Sequence, residues 1–367
     1  MNSPLTIASH APSEFVLRLP KAELHLHLEG TVDPHTLIEL SKRHPTPLPV
    51  ENNRYAPDPS SGEVLNEEKV ARIYGYTDFT GFLMAFKAVT ERLRTAEDYE
   101  FITYEMCRQL ARENVLHAEV FVSVGVVLWR GANFEPLFAG MEAGRKRGER
   151  DFGVSVLWIF DAVRHFGVEE GYSVVNLALK LRDAQLAQER STSIIGFGIG
   201  GDERRAGAAE FNELYRHAAD HGLRLTAHAG ETVGAESIWA AINIGAERIG
   251  HGLHAFDDPE LIEILAERQI PIEVCISSNV RTNCCAGIME HPVRRMFDAG
   301  LMVTLNSDDP AMFQTTVARE YQIAREVFGF TEDQLLEVAR NSFEASFLPA
   351  EEKLKMLDLC DRFAGRA

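Results

Sequence analysis

Short apolar runs of strand character alternate with amphipathic stretches eight times along this chain. That repetition limits its folds more than any other feature. Strands are expected at 22–28, 115–124, 153–163, 193–200, 223–228, 248–251, 270–277 and 301–306. Helical patterns lie between them at 136–147, 169–186, 210–221, 238–244, 259–268 and 292–299. Eight strand–helix repeats argue for parallel strands closed into a barrel, with a many-stranded open sheet as the competing architecture. Between the first and second strands lies a long excursion. It holds a polar loop at 44–62, then helices near 77–93 and 96–113. A helical tail follows the eighth strand, at 314–328, 332–343 and 351–363. The expected fold is therefore α/β: a (β/α)8 TIM-type barrel with a helical insertion after strand 1 and a C-terminal helical tail. No internal repeat or clean linker divides it, so one domain is expected over 1–367.

Composition narrows the partners. Lys plus Arg number 37 and Asp plus Glu 55, a formal charge of −18. A surface that acidic repels phosphate backbones and anionic lipid, so nucleic acid and membranes are not expected partners. A small neutral substrate is compatible with it. Five cysteines, with no C-x-x-C, read as reduced thiols of a cytoplasmic protein. The adjacent pair Cys284 and Cys285 reads as loop filler. The first fifteen residues have neither a basic start nor a long apolar run, so no signal peptide is expected. The most apolar stretch, 120–129, is about half a membrane span.

Barrel enzymes place their chemistry at the C-terminal ends of strands. The first strand ends His25-Leu26-His27-Leu28-Glu29-Gly30. Two histidines two apart on a strand point the same way, and convergent imidazoles suit a transition metal. Two barrel-interior histidines with no metal are the plainer alternative. The fifth strand ends His228-Ala229-Gly230-Glu231, which fits a third ligand with a carboxylate nearby for proton transfer. The sixth ends Gly250-His251-Gly252, where glycines let the backbone approach a ligand. The eighth ends Asn306-Ser307-Asp308-Asp309-Pro310. Paired buried carboxylates are costly unless one holds a metal, though either could instead cap the following helix. Asp308 is expected as a fourth ligand or its neighbour, with Asp309 facing substrate. Three His and one carboxylate make a Zn²⁺ site with a position left for water.

Two motif matches point elsewhere. The run from Gly196 to Gly201 fits G-x-G-x-x-G, but Asp202 to Gly207 follow before any helical pattern, which a dinucleotide fold does not allow. His117-Ala118-Glu119 resembles the H-x-E of cytidine-type zinc deaminases, without the P-C-x-x-C that must accompany it.

Taken in order, LPKAELHLHLEG, GGDE, TAHAGE, RIGHG and LNSDDP resemble the adenosine deaminase family of the amidohydrolase superfamily, from about Leu19 to the tail. The resemblance implies an eight-stranded barrel with one Zn²⁺ per chain, bound by His25, His27, His228 and Asp308. It implies that Glu231 protonates purine nitrogen 1 and that His251 orients and deprotonates the metal-bound water. Asp309 would meet nitrogen 7, Gly201 nitrogen 3 and Glu29 the ribose 5′-hydroxyl. A second metal is not expected, because the fourth strand ends in glycines where two-metal relatives carry a lysine.

The implied reaction is hydrolytic deamination of adenosine or 2′-deoxyadenosine to the inosine and ammonia. Family members acting on free adenine tend to have Asp at the position of Gly250, so Gly250 favours a nucleoside. Two departures touch the ribose side. Gly198 stands where the family usually has Asp, and Glu29 where adenosine-specific members often have Asp. A 5′-substituted adenosine such as aminodeoxyfutalosine is therefore the main rival substrate, and Arg281 or Arg164 would meet a carboxylate on it. Two further classes remain as alternatives: an NAD-dependent oxidoreductase using the glycine run, which leaves the histidines unexplained, and a catalytically dead binding barrel.

Overall fold

The computed structural model describes residues 11–48, 62–189 and 191–365. Its eight strands form one parallel sheet in chain order: β1 (Lys21–His27), β2 (Val115–Val122), β3 (Ser155–Val163), β4 (Ile194–Gly200), β5 (Arg224–Ala229), β6 (Arg248–His251), β7 (Ile272–Val274) and β8 (Val303–Leu305). The last strand returns to the first. Asp308 N donates to His25 O at 3.0 Å and His27 N donates to Asp308 O at 2.9 Å. The sheet thus closes, with helices outside it, into the expected TIM-type barrel.

Seven of the strand assignments hold within a few residues; β7 is cut short. The apolar run 270–277 suggests eight strand residues, but only Ile272–Val274 pair along the ladder. From Cys275 the chain turns into the Ile276–Arg281 helix, whose first turn is anchored by Ser277 N donating to Glu320. This early turn is what delivers Ser278 and Asn279 to the site.

The excursion after β1 contains the Phe79–Thr90 and Ala96–Arg112 helices, each with a side chain at its N-cap. Asp78 accepts from Gly81 N, and Thr95 and Asp98 form a reciprocal capping box. Most of the 44–62 loop, residues 49–61, lies outside the described residues. The tail forms the Val317–Glu326, Glu332–Glu344 and Ala350–Phe363 helices. Just before the last of these, Phe347 packs with Phe121 and Ile159 inside the barrel, and its ring lies 3.8 Å from the Arg248 guanidinium. Because Arg248 opens β6, this closes the N-terminal end of the barrel and leaves the opposite end for the cavity.

Among the described residues no helix is long and apolar enough to cross a membrane. The stretch 120–129 is the end of β2 plus the short Val124–Trp129 helix.

Candidate active site

At the C-terminal end of the barrel, His25, His27, His228 and His251 crowd together. His25 and His228 ring centroids are 4.5 Å apart, and those of His25 and His251 4.9 Å. Phe121 sits 5.0 Å from both β1 rings, so His25 and His27 do share one interior space.

The hydrogen bonds behind these rings fix which nitrogens face inward. His25 Nδ1 lies 2.8 Å from Glu273 Oε2, and His228 Nδ1 lies 3.0 Å from Ile199 O. A carbonyl only accepts, so His228 Nδ1 carries the proton, and the carboxylate favours the same tautomer for His25. Both Nε2 atoms then present lone pairs. His25 Nε2 is buried with no protein partner. His27 Nε2 and His228 Nε2 stand 3.2 Å apart, and Asp308 Oδ1 lies 3.4 Å from His27 Nε2 and 3.7 Å from His25 Nε2. Two ligands of one tetrahedral zinc, with bonds of about 2.0–2.1 Å, sit about 3.3 Å apart. Buried lone pairs aimed at one another at that spacing fit a cation and little else. Desolvation holds His25, His27 and His228 below the usual imidazole range, so all three are neutral and able to ligate. Zn²⁺ is the ion this donor set suits.

Glu273 belongs to a buried charge network at the barrel floor. Its Oε1 accepts from Arg248 Nε at 2.6 Å, and Arg248 Nη1 also pairs with Glu119. The H-x-E match is thus structural: His117 and Glu119 bond one another at 3.3 Å, away from the cavity.

Glu231 follows β5 and is almost fully enclosed. Burial is the main cause that lifts its carboxyl to about 7. Its backbone is gripped by Glu203, which accepts from the N–H of Gly230, Glu231 and Thr232 at 2.8–2.9 Å. Glu203, in the GGDE run, is a positioning residue the sequence reading did not assign. His251 Nε2 is 3.8 Å from Glu231 Oε2, and its ring is set by Asn279, 3.2 Å from Nδ1. Both His251 and Asp308 have positive φ, 66° and 64°. Left-handed backbone at non-glycine residues stores strain, which concentrates at working sites. Gly250 lets the backbone pass close to the cluster, since a Cβ there would lie 2.7 Å from His25 Cε1.

These groups open into a cavity of about 490 Å³. His27, His228, Glu231, His251, Asp308, Asp309 and Gly201 line it. Asp309 occupies the N-cap position of the next helix but makes no capping bond, and its Oδ1 is buried without a partner. Burial, then the adjacent Asp308, pushes its carboxyl up. Glu29 is buried, with Oε1 accepting from Ser123 N at 3.2 Å and Oε2 left without a partner, and it is not among the residues lining the cavity.

Neither arginine expected to meet a substrate carboxylate reaches the cavity. Arg164 donates to His228 O and Ala206 O, and Arg281 donates to Tyr74 O over the Tyr76 ring. The cations that do line it are Lys87 and Arg130. Cys284 is more than filler: its Sγ lies 3.8 Å from Glu231 Oε1.

Phe79, Phe82 and Phe86 all line the cavity, while Phe82 and Phe86 also pack against the core and Phe82 stacks on Phe313 at 5.0 Å. This face is at once cavity wall and core packing. Phe82→Ala and Phe86→Ala should therefore each raise KM for substrate and cost about 1–2 kcal/mol of stability. That is below the roughly 3–5 kcal/mol of a fully buried phenylalanine. Melting curves read beside steady-state kinetics check it; a normal KM in the folded fraction would remove these rings from the substrate wall.

Convergent imidazoles and a carboxylate at the mouth of a parallel barrel, beside a buried carboxylic acid, define a hydrolase of the amidohydrolase type. The chain belongs to the adenosine deaminase family, whose profile matches residues 20–363. It is a hydrolytic deaminase acting on the amidine C–N bond of purines. It is 37% identical to the aminodeoxyfutalosine deaminase of Streptomyces avermitilis over 350 residues, covering 95% of this chain and 92% of that one. It is 34% identical to the adenine deaminase of Chlorobium phaeobacteroides, covering 93% and 95%. Among solved structures, adenine deaminase from Arthrobacter aurescens superposes with a TM-score of 0.82 at 31% identity, covering 95% of this chain and 99% of that one. A zinc-bound amidohydrolase from Burkholderia ambifaria superposes with a TM-score of 0.79 at 25% identity, covering 96% and 93%.

Proposed function

We propose that this enzyme deaminates an adenosine extended at its 5′ carbon, of which aminodeoxyfutalosine is the named example. Adenosine itself is the secondary substrate. The observation that carries this reading is the cavity. Its 490 Å³ are lined by the histidine cluster, by Phe82 and Phe86, by Trp129 and Phe166, and by Lys87 and Arg130, with Glu91 3.8 Å from Lys87. Trp129 and Phe166 stack at 5.4 Å, although Trp129 is 65% exposed, so an apolar platform stands open at the mouth. A free base would leave most of this space empty, while a 5′ extension ending in a carboxylate would meet both the aromatic surface and the two cations. The similarity to the Streptomyces enzyme points the same way.

The chemistry follows from the residues in place. His25, His27, His228 and Asp308 would hold one Zn²⁺ per chain, and that ion would supply Lewis acidity toward the attacking water. Glu231, retaining its proton because it is buried, gives that proton to ring nitrogen 1 as oxygen bonds to carbon 6. His251, braced by Asn279, takes the proton lost by the attacking water and passes it to the departing amino group. The C6–N6 bond breaks and ammonia leaves, the oxygen on carbon 6 gives its remaining proton back to Glu231, and a 6-oxopurine protonated at nitrogen 1 remains. Asp309 and the Gly201 N–H hold the ring by nitrogens 7 and 3. The Phe79–Thr90 helix keeps bulk water from the ring face, which strengthens these contacts.

Ammonia release from a panel of aminodeoxyfutalosine, adenosine, 2′-deoxyadenosine, adenosine monophosphate and adenine tests the assignment. Failure to deaminate any of them would leave only a binding barrel. The two cations have their own test. Lys87→Ala combined with Arg130→Ala should raise KM for the carboxylate-bearing substrate roughly 5–30-fold, the range for partly exposed charged contacts, while adenosine changes little. An equal rise for both substrates would place the carboxylate elsewhere.

A further inference from the structure

Near the end of β3, in an otherwise apolar run, stands Asp161. Its side chain lines the cavity, is only 3% exposed, and has an Oδ1 with no hydrogen-bond partner. Neither the metal cluster nor the ring contacts above use it. The nearest cation in sequence, Arg164, spends its guanidinium on the carbonyls of Ala206 and His228. A buried acceptor left unmatched costs about 1–3 kcal/mol, so its retention in a pocket wall calls for a donor from the ligand.

Its position says which part of the ligand. Asp161 pairs in register with Gly198 across the β3–β4 ladder. A Cβ at Gly198 would lie 3.3 Å from Asp161 Oδ1 and 2.9 Å from Phe121 Cε1, and one at Gly200 would lie 2.9 Å from Asp161 Oδ2. The carboxyl group therefore lies over the glycine strand, and those glycines make room for it. The next residue along is Gly201, which lines the cavity and in the proposed function meets ring nitrogen 3. In a purine, nitrogen 3 and nitrogen 9 flank the same carbon, so the sugar leaves the ring on this side. Sugar hydroxyls are the donors the carboxyl group lacks. Glu29, whose Oε1 accepts from Ser123 N, is not among the residues that line the cavity, whereas Asp161 is.

We propose that Asp161 is the ribose-selecting residue of this enzyme, accepting a hydrogen bond from a sugar hydroxyl and setting its preference for nucleosides over free 6-aminopurines. The inference rests on the ring orientation of the proposed function, but not on what is attached at the 5′ carbon.

The test compares adenosine, its 2′-, 3′- and 5′-deoxy forms and adenine in the wild type, Asp161→Ala and Asp161→Asn, with zinc content measured in each. Asp161→Ala should lower kcat/KM for adenosine roughly 10–100-fold, chiefly through KM, and leave adenine within about threefold. One deoxy form should lose nothing further in the variant, which names the hydroxyl. Zinc content should be unchanged. If Asp161→Ala does not fold, Asp161→Asn carries the comparison, and the paired exchange of Asp161→Gly with Gly198→Asp should recover part of the nucleoside preference from the adjoining strand. Equal losses on adenosine and adenine, or loss of zinc, would overturn the proposal, since the carboxyl group would then serve only the packing around His228. A wild type that prefers adenosine to a 5′-extended substrate would refute the proposed substrate but leave this comparison intact.

Discussion

Glu231→Gln is expected to keep its metal, bind nucleoside with near-normal affinity and lose roughly 10²–10⁴-fold in kcat, the usual worth of a positioned proton donor. Burial raises this carboxyl to about 7, so a substantial share of it keeps a proton near neutral pH. The amide preserves shape and can donate a hydrogen bond to nitrogen 1, but it cannot transfer a proton. The backbone contacts to Glu203 do not involve the substituted side chain, so the loop should keep its place. Metal content, product affinity and kcat measured together check this. A near-normal kcat would remove Glu231 from the reaction.

His25→Ala and Asp308→Ala should each lose metal and activity together, from about one Zn²⁺ per chain to little or none. Among the described residues His25 Nε2 has no hydrogen-bond partner, and Asp308 Oδ1 is the one carboxylate oxygen within 4 Å of both β1 imidazoles. The protein would offer four donors to the ion, and removing either leaves too few to retain it. Full metal occupancy in both variants, read by elemental analysis, would contradict the ligand assignment whatever happens to activity.

Much of this site was legible because barrel strands end where their chemistry is. A histidine pair two residues apart on β1, a His followed by Gly-Glu after β5, and a doubled aspartate after β8 are all short-range patterns, and the fold brings their ends together. What the sequence hid depends on side-chain direction or on contacts between distant strands. Arg164 and Arg281 are the arginines the sequence offers a substrate carboxylate, but neither lines the cavity, whereas Lys87 and Arg130, which no local pattern marks, do. Glu29 adjoins the metal motif, and only the fold shows that its Oε1 is taken by Ser123 N. Asp161 did leave a signal, a single acid inside an apolar strand, but its meaning depends on register with Gly198, which only the ladder shows. The short β7 was overread because β-branched and apolar residues continue past Val274, while a hydrogen bond from Ser277 N to Glu320 ends the strand there.

The most direct measurement is kcat/KM for aminodeoxyfutalosine, adenosine and adenine on the zinc-loaded enzyme, followed by loss of aminopurine absorbance and matched to ammonia released. A cavity lined by aromatic rings and by Lys87 and Arg130 should give aminodeoxyfutalosine at least a tenfold advantage over adenosine, about 1.4 kcal/mol, and a larger one over adenine. Adenine as the best of the three would contradict it.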